Sequence, residues 1–398
     1  MIRDFAQTKA MFQMPQDMIY LDGNSLGPLP RATAARINDC VTREWGEMVI
    51  TGWNRAGWMA QPTGYADRIG RLIGAEPGHC VLGDTLSVKV YQALAAALDL
   101  VPERRVILTD SGNFPSDIYM AEGLIKSLDR GYELKIVAPE DVAAHIDESL
   151  AVLMLTQVDY RTGRLHDMPA LTKAAHAAGA IAIWDLAHSA GAMALDVAAG
   201  GADFAVGCTY KYLNGGPGAP AFIYVAPRHI DKCQPALSGW LGHAAPFAFE
   251  PGYRPGTGIE RMRVGTPPVL QLAALDASLD IWDQVDLDQI RAVSVALTEQ
   301  FIAGVEAACP MLMLASPRDA AQRGSQVSFR FEHGYAAMQA CIAQGVVGDF
   351  RAPDIMRFGF TPLFIDADDV AKAVTIIAKV MNDQLWDTPA FRQKAAVT

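Results

Sequence analysis

Short apolar runs alternate with longer amphipathic stretches over residues 63–225. The runs have the length of strands buried on both faces of a sheet, and the stretches between them have helical spacing. The predicted strands are Cys80–Leu82, Val106–Thr109, Leu134–Val137, Ala151–Thr156, Ile181–Asp185, Phe204–Gly207 and Phe222–Val225. The predicted helices between them include Ser87–Leu98, Ser116–Leu128 and Pro169–Ala178. This alternation predicts an α/β fold with a mainly parallel seven-stranded sheet that carries helices on both faces.

The pattern changes after Val225. Residues 226–268 are rich in Gly, Pro and aromatic side chains without regular spacing, and so long an irregular stretch is typical of functional or interfacial segments. The elements predicted beyond it are Val269–Trp282, Leu287–Ala308, Ser325–Phe331, Tyr335–Gln344, Val346–Phe360 and Asp366–Asn382. We therefore expect a large domain over residues 56–268, a small α+β domain over residues 269–398, and an N-terminal segment, residues 1–55, that joins the small domain.

Composition and charge narrow the class of protein. The chain has 398 residues, of which 51% are hydrophobic and 19% charged, and its formal net charge is −11. Its basic residues are scattered, which argues against nucleic-acid and membrane partners. No apolar run reaches the roughly 18 residues of a membrane span, and charged residues such as Asp4 and Lys9 interrupt the N-terminus. We expect a cytoplasmic protein.

The cysteines and histidines show no ligand spacing. The six cysteines are far apart without a C-x-x-C pair, and the eight histidines form no H-E-x-x-H motif. We therefore expect buried, unpaired cysteines and no metal site.

Polar side chains follow three of the predicted strands. Asp185 ends its strand and is followed by His188, Lys211 comes shortly after Phe204–Gly207, and residues 113–117 follow Val106–Thr109. Ligands of parallel sheets bind at the carboxyl ends of the strands, so these side chains are candidates for a common site.

A carboxylate and a lysine on neighbouring strand ends suit pyridoxal 5'-phosphate. This cofactor is held by a lysine amine and needs an anion beside its pyridine nitrogen, roles that Lys211 and Asp185 fit. Ser87 could bind the phosphate at the start of its helix, and Phe114 could stack on the ring. Each residue alone has an ordinary alternative, such as a turn, a helix cap or a solvated lysine. Their order along the chain favours the cofactor.

The motifs resemble those of one family. They are Y-L-D-G-N-S-L-G-P at residues 20–28, F-P-S-D at 114–117, D-L-A-H at 185–188, Y-K-Y-L-N-G-G-P-G at 210–218, G-W-L-G-H at 239–243 and the two prolines after Thr266. From about residue 20 to the last helix the chain resembles the kynureninases. That family has the aspartate-aminotransferase-like fold, fold type I of the pyridoxal-phosphate enzymes.

The resemblance implies a role for each matching position. Lys211 would hold the cofactor covalently and move the substrate's Cα proton, Asp185 would pair with the pyridinium, and Tyr210 would handle a proton on the hydrated ketone. Further cofactor contacts implied are Leu86, Ser87, Phe114, Pro115, Ser116, Asp117, Thr156 and His188, with Trp240 and Thr266 reaching the phosphate from the neighbouring subunit of a homodimer. Substrate contacts are expected from Arg357, at the α-carboxylate, and from Trp53, Trp58 and Gly265, near the aniline ring.

The implied reaction is hydrolysis of L-kynurenine to anthranilate and L-alanine, with 3-hydroxykynurenine as the poorer substrate. A cysteine desulfurase or a class V aminotransferase is the alternative on the same fold. A desulfurase needs a mobile cysteine, however, and Cys341 lies within the predicted helix Tyr335–Gln344. A non-catalytic cofactor-binding regulatory module is a second alternative, but no basic stripe accompanies the fold. A nicotinamide enzyme is disfavoured because no G-x-G-x-x-G follows the early strands.

Overall fold

A seven-stranded sheet forms the centre of the large part of the chain in the computed structural model, which describes residues 4–393. In spatial order its strands are Cys80–Leu82, Phe222–Val225, Phe204–Gly207, Ile181–Asp185, Leu150–Thr156, Val106–Asp110 and Glu133–Val137. The last five run parallel to one another, and Phe222–Val225 runs antiparallel to both of its neighbours. The predicted seven-stranded, mainly parallel sheet is therefore confirmed, with each strand end within one residue of its predicted position.

The helices that connect these strands are also as predicted to within two residues. They are Leu86–Leu100, Pro115–Leu128 and Met168–Ala177. Before the sheet, the helices are Phe5–Lys9, Ala32–Asp39, Gly52–Arg55 and Gln61–Ile73, and a π-helical turn at Cys40–Trp45 continues the second of them.

The C-terminal part combines helices with a small antiparallel sheet. Its helices are Val269–Trp282, Leu287–Ala308, Gly334–Ala343, Ala367–Asn382 and Pro389–Arg392, and its sheet has the strand order Met313–Leu314, Gln326–Arg330, Ile355–Gly359, Asp349–Arg351. The predicted single segment 346–360 is wrong in one respect, since it forms three short strands. Pro353 lies between the last two and cannot donate to a strand ladder, so the chain turns there.

The N-terminal segment contacts this C-terminal part. Ile19–Tyr20 pairs in parallel with Val346–Val347, and Lys9 forms ion pairs with Asp366 and Asp369 at the start of the Ala367–Asn382 helix. A further two-stranded pair joins Phe12–Gln13 to Leu29–Pro30. The three-part domain division itself stays a prediction, and its outermost limits lie outside the described residues.

The stretch between the two parts is irregular, as predicted. Residues 226–268 contain only short 3₁₀ turns, at Trp240–Gly242, Pro246–Ala248 and Gly258–Met262. All six cysteines are unpaired and buried, which confirms the prediction for them. Across residues 4–393, no helix is both long and apolar enough to cross a membrane, and no group of three potential metal ligands occurs.

One buried carboxylate, Asp203, ties neighbouring segments to the sheet. Its Oδ2 accepts a hydrogen bond from the Ala182 backbone N–H (2.8 Å) and lies 2.7 Å from Nε2 of His176. Its Oδ1 accepts from Arg228 (2.6 Å) and lies 2.7 Å from Nε2 of His229. Although burial raises the pKa of Asp203, these partners outweigh it and lower the pKa to about 2.

Asp203→Asn is expected to lower the free energy of unfolding at pH 7 by about 2 kcal/mol. Because the folded pKa lies below the unfolded value of about 3.9, this stabilisation is present above roughly pH 4 and is lost as the pH falls toward the folded pKa. Urea unfolding of both proteins between pH 7 and pH 3 measures the difference. Asp383→Asn, which removes an exposed partner of Lys379, serves as the control and should change little. A difference independent of pH would contradict the account.

Candidate active site

The polar side chains singled out in the sequence gather where adjacent parallel strands end. Thr156 and Asp185 are the last residues of neighbouring strands and are register partners. Lys211 follows the next strand along the sheet, and its Nζ lies 2.9 Å from Nε2 of His188. The sheet topology thus places a lysine, a carboxylate and a histidine at one edge.

The hydrogen bond between Lys211 and His188 has a defined direction. His188 is 4% exposed, and burial, followed by the charge of Lys211, holds the pKa of its imidazole well below the ordinary value. The ring is therefore neutral, and its Nε2 accepts from the Lys211 ammonium group. Its Nδ1 is buried, and an interaction of the imidazole with the Gln326 side chain partly opposes the lowering of the pKa.

Two buried carboxyl groups face the lysine. Asp185 is 3% exposed, and burial raises its pKa to about 6, while the charge of Lys211 and a hydrogen bond from the Ala187 N–H (2.9 Å) oppose the rise. Burial, and then the charge of Asp185, raise the pKa of Asp117 well above its ordinary value. Oδ2 of Asp117 is buried without a hydrogen-bond partner among the described residues. A ligand with donor groups would stabilise this pair in its charged form.

Two helices begin close together beside this edge. The Leu86–Leu100 and Pro115–Leu128 helices both lack a side-chain cap at their N-termini. Ser87 and Ser116, in their first turns, place their hydroxyl oxygens 2.7 Å apart. Free backbone N–H groups, two helix dipoles and two hydroxyls form a cradle that suits a phosphate dianion.

Phe114 offers an aromatic face next to the lysine. Its ring is 39% exposed, packs edge-on against Tyr160 at 5.1 Å between centroids, and has its centroid 5.8 Å from Nζ of Lys211. A flat heteroaromatic ring attached to Lys211 would be within reach of this face.

A side-chain network fixes the turn that carries Phe114. Asp110 accepts from the Gly112 N–H (2.7 Å) with one oxygen and contacts Nε2 of His166 with the other. Asn113 Oδ1 in turn accepts from the Phe114 N–H (2.7 Å). Asp110, Asn113 and His166 are all at most 5% exposed, so the backbone of the turn is held in place before any ligand binds.

Tyr210 precedes the lysine and is half-buried. Its ring centroid lies 5.8 Å from Nζ of Lys211. Burial, and then the neighbouring Cys208, raise the pKa of the phenol above its ordinary value. The phenol is therefore a neutral hydroxyl at pH 7, which can both donate and accept a hydrogen bond.

Arg357 is buried, and most of its donors are already engaged. Its Nε donates to Asp349 (2.7 Å), Nη2 donates to the same carboxylate and to Ser25 Oγ (2.7 Å), and Nη1 donates to the Tyr160 carbonyl (2.6 Å). The bidentate partner within the chain is thus Asp349. A substrate carboxylate could bind at the guanidinium edge formed by Nη1 and Nη2. The hydrogen bonds to Tyr160 and Ser25 would then have to be shared with the substrate or broken.

The structure shows no contact between Lys211 and the remaining predicted residues within residues 4–393. Trp240 packs against Phe247, and Gly265 and Thr266 line a cavity of about 180 Å³. A third set, Trp53 and Trp58, packs edge-to-face at 5.8 Å between centroids. No hydrogen bond, ion pair or ring contact within residues 4–393 joins these five residues to Lys211 or Asp185.

Comparison with known proteins identifies the family. Residues 290–377 match the model of the kynureninase C-terminal domain. The kynureninase of Burkholderia pseudomallei strain 1106a is 48% identical over 400 residues, covering 99% of this chain and 96% of that protein. The kynureninase of Pseudomonas fluorescens is 47% identical over the same shares of both chains. The chain belongs to the kynureninase family.

Solved structures show the fold of this kynureninase-family chain. A cysteine desulfurase from Thermococcus onnurineus superposes with a TM-score of 0.81 at 18% identity, covering 96% of this chain and 99% of that one. The cysteine desulfurase of Escherichia coli gives a TM-score of 0.80, also at 18% identity and with the same coverage. These likenesses show fold type I of the pyridoxal-phosphate enzymes, as the sequence predicted.

The site of the kynureninase-family chain fits pyridoxal phosphate by its own chemistry. The uncapped helix starts with Ser87 and Ser116 suit the phosphate, and Phe114 suits the ring. The Asp117 oxygen without a donor and the Asp185 carboxyl suit the polar groups of a pyridinium.

Several supporting residues were not predicted from the sequence. Asp110 ends a strand as Asp185 does, so the strand-end rule could have found it, but its partner His166 has no signal of its own. Asp349 and Lys89 also lie at most 2% exposed. In the sequence, Asp349 looks like an ordinary strand residue and Lys89 looks like an ordinary helix residue, so neither indicates a special role.

Proposed function

We propose that this chain is a kynureninase that hydrolyses L-kynurenine to anthranilate and L-alanine with pyridoxal 5'-phosphate as its cofactor. The observation that carries the proposal is the placement of Lys211 beside His188 and buried Asp185, in a chain that is 48% identical to kynureninases. Pyridoxal phosphate supplies an electron sink that takes up the electron pair released when a bond at the substrate's α-carbon breaks.

Lys211 and Asp185 carry the central roles in this proposal. The Lys211 amine holds the cofactor and, once the substrate amine has displaced it, takes and returns the proton at Cα. Asp185 keeps the pyridine nitrogen protonated, because a carboxylate and a pyridinium each stabilise the charged form of the other. His188, neutral and hydrogen-bonded to the lysine, holds the amine in position.

Tyr210 and Arg357 act on the substrate. Water adds to the aryl ketone before the Cβ–Cγ bond breaks, and the Tyr210 hydroxyl, beside the lysine, handles the proton on the hydrated ketone. Arg357 binds the α-carboxylate through its Nη1 and Nη2 edge, for which the planar guanidinium is better suited than an ammonium group.

The direct test of the proposed activity compares two substrates. The purified protein loaded with cofactor is expected to release fluorescent anthranilate from kynurenine over many turnovers, and no sulfide from cysteine. Cys341 supports this expectation, because it is 0% exposed in the Gly334–Ala343 helix and burial raises its pKa to about 12. Sulfide release without anthranilate would overturn the proposal in favour of a desulfurase.

The enzyme is proposed to be a homodimer in which each site takes Trp240 and Thr266 from the neighbouring subunit. The support is the large amount of exposed apolar surface in two segments. Phe247 and Phe249, close to Trp240, are 65% and 80% exposed, and Ile50 is 73% exposed. Trp240, Phe247 and Phe249 are in ring contact with one another, and a contiguous exposed apolar patch is typical of an interaction surface. Unpaired buried cysteines are consistent with a cytoplasmic location.

The same proposal explains a preference for the unsubstituted aniline ring. Trp53 and Trp58 form an aromatic wall, and the Trp58 N–H already donates to Glu44 (2.9 Å), so the Trp58 donor is not free to bind a 3-hydroxyl group. The absence of a side chain at Gly265 removes another potential partner. The ratio of kcat/KM for kynurenine over 3-hydroxykynurenine is therefore expected to exceed one.

Gly265→Ser is expected to shift this ratio toward 3-hydroxykynurenine by about tenfold, because one satisfied buried hydroxyl is worth about 1–3 kcal/mol. A Cβ at Gly265 meets no atom within 4 Å, so the new side chain has room. Steady-state kinetics with both substrates measure the ratio, and Gly265→Ala adds the same carbon without the hydroxyl. Equal ratios for the serine and alanine variants would refute the role of this position.

A further inference from the structure

Lys89 is a fully buried charged residue that the proposed reaction does not use. It lies in the first turns of the Leu86–Leu100 helix with 0% exposure, and Gln92 on the same helix face is also 0% exposed. Burial lowers the pKa of Lys89, and the nearby Asp84 opposes this effect. Lysine is almost never fully buried unless it is paired, so its contacts show what it does.

Those contacts orient one amide group. Nζ of Lys89 donates to Asp84 (3.2 Å) and to Oε1 of Gln92 (2.9 Å). An ammonium group only donates, so Gln92 must turn its oxygen toward Lys89 and its Nε2 away. Nε2 of Gln92 donates to the Met262 carbonyl (3.1 Å), and Nζ of Lys89 lies 3.5 Å from the same oxygen.

Met262 is the last residue before the segment that carries Gly265 and Thr266. It ends the Gly258–Met262 turn, after which the chain becomes extended. Lys89, Gly265 and Thr266 line the same cavity of about 180 Å³. The bond to the Met262 carbonyl therefore holds one end of this segment against the helix.

The segment also supports Trp240. The Leu241 N–H donates to the Val264 carbonyl (3.3 Å), and Gly239 lies so close to Val264 that a Cβ there would be 2.0 Å from that oxygen. Fixing Met262 thus restrains both residues that were assigned to the neighbouring subunit's site, Trp240 and Thr266.

We propose that Lys89 and Gln92 are positioning residues that tie the helix holding one cofactor phosphate to the segment serving the other site of the dimer. This inference rests on the shared sites proposed above. The helix presents Ser87 to its own site, while its buried side holds the segment that reaches the partner's cofactor. Lys89 thereby acts in trans, on a site to which it does not belong.

Hybrid dimers distinguish an effect of Lys89 on the cofactor site of the partner subunit from an effect on the site of its own subunit. Two differently tagged chains are purified as heterodimers. Only one of the two chains carries Lys211→Ala, so a single site of each dimer can attach the cofactor. In the first hybrid, Lys89→Met is in the same chain as Lys211→Ala, so the intact lysine receives its segment from the altered chain. In the second, Lys89→Met is in the chain that keeps Lys211. The readout is the rate at which borohydride-fixable cofactor disappears from Lys211 after dilution.

The first hybrid is expected to lose cofactor roughly tenfold faster than a reference hybrid without Lys89→Met, the size typical when a group that orients a ligand-binding residue is removed. The second should match the reference. Faster loss in the second hybrid alone, or equal loss in both, would overturn the inference. Gln92→Met, which removes the bond to Met262 and keeps Lys89, gives the same comparison if the lysine variant does not fold.

Different experiments test the inference about Lys89 and the proposal that the two sites of the dimer are shared. Sharing is tested separately, by activity recovered between Lys211→Ala and Trp240→Ala chains. Recovered activity together with no trans effect of Lys89→Met would remove the inference and leave the dimer proposal standing.

Discussion

Lys211→Ala is expected to reduce kynurenine turnover by about 10³-fold or more, because it removes both the covalent anchor of the cofactor and the base at Cα. The phosphate cradle at Ser87 and Ser116 is untouched, so the variant should still bind cofactor reversibly. Turnover is measured by anthranilate fluorescence, and cofactor content by absorbance after gel filtration.

Chemical labelling identifies the lysine directly. Borohydride reduction of the loaded wild-type protein, followed by peptide mapping, should place the label on Lys211. Lys173→Ala is the matched control, since that residue is exposed on the Met168–Ala177 helix and its loss should leave both turnover and labelling intact. A label on Lys89 or Lys173 would show that the wrong lysine has been assigned.

Mixing Lys211→Ala with Trp240→Ala chains is expected to restore about a quarter of wild-type activity from two nearly inactive proteins. In a twofold dimer with shared sites, each mixed dimer collects both defects in one site and leaves the other intact, and half of the dimers in an equal mixture are mixed. Activity is followed after subunit exchange has been verified by mass spectrometry of tagged chains.

The control for this mixture is an aromatic residue that is buried within its own chain. Trp282 is 1% exposed and donates to the Leu213 carbonyl within its own chain. Trp282→Ala should cost stability, whereas Trp240→Ala should weaken cofactor retention. Absence of recovered activity after complete exchange would contradict sites that share Trp240.

The central sheet was predictable because most of its strands are continuous apolar runs. A strand such as Leu150–Thr156 is buried along its whole length, so apolar residues occupy both of its faces. The limits of such an apolar run are visible in the sequence. The same reasoning locates Asp185 and Lys211, since polar residues at the end of such strands or shortly after it stand out. The splitting of residues 346–360 was missed because the strands Val346–Val347 and Asp349–Arg351 are too short to show a periodicity.

Long-range pairs between side chains were not predictable. Arg357 and Asp349 lie on neighbouring strands as register partners, and strand pairing cannot be read from either segment alone. Lys89 matches the spacing of a solvated helix residue, yet it is 0% exposed and its Nζ contacts Asp84, Gln92 and the Met262 carbonyl. The roles proposed for Trp240 and Thr266 require a second subunit, for which one chain carries no direct geometric signal.

The visible absorption spectrum of the purified, cofactor-loaded protein, recorded before and after addition of L-kynurenine, tests cofactor attachment and substrate turnover together. We expect a cofactor band that borohydride abolishes, that kynurenine perturbs at once, and that returns as anthranilate and alanine accumulate in equal amounts over many turnovers. A protein without the band after loading, or one whose band does not respond to kynurenine and that forms no anthranilate, would show that the proposed activity is wrong.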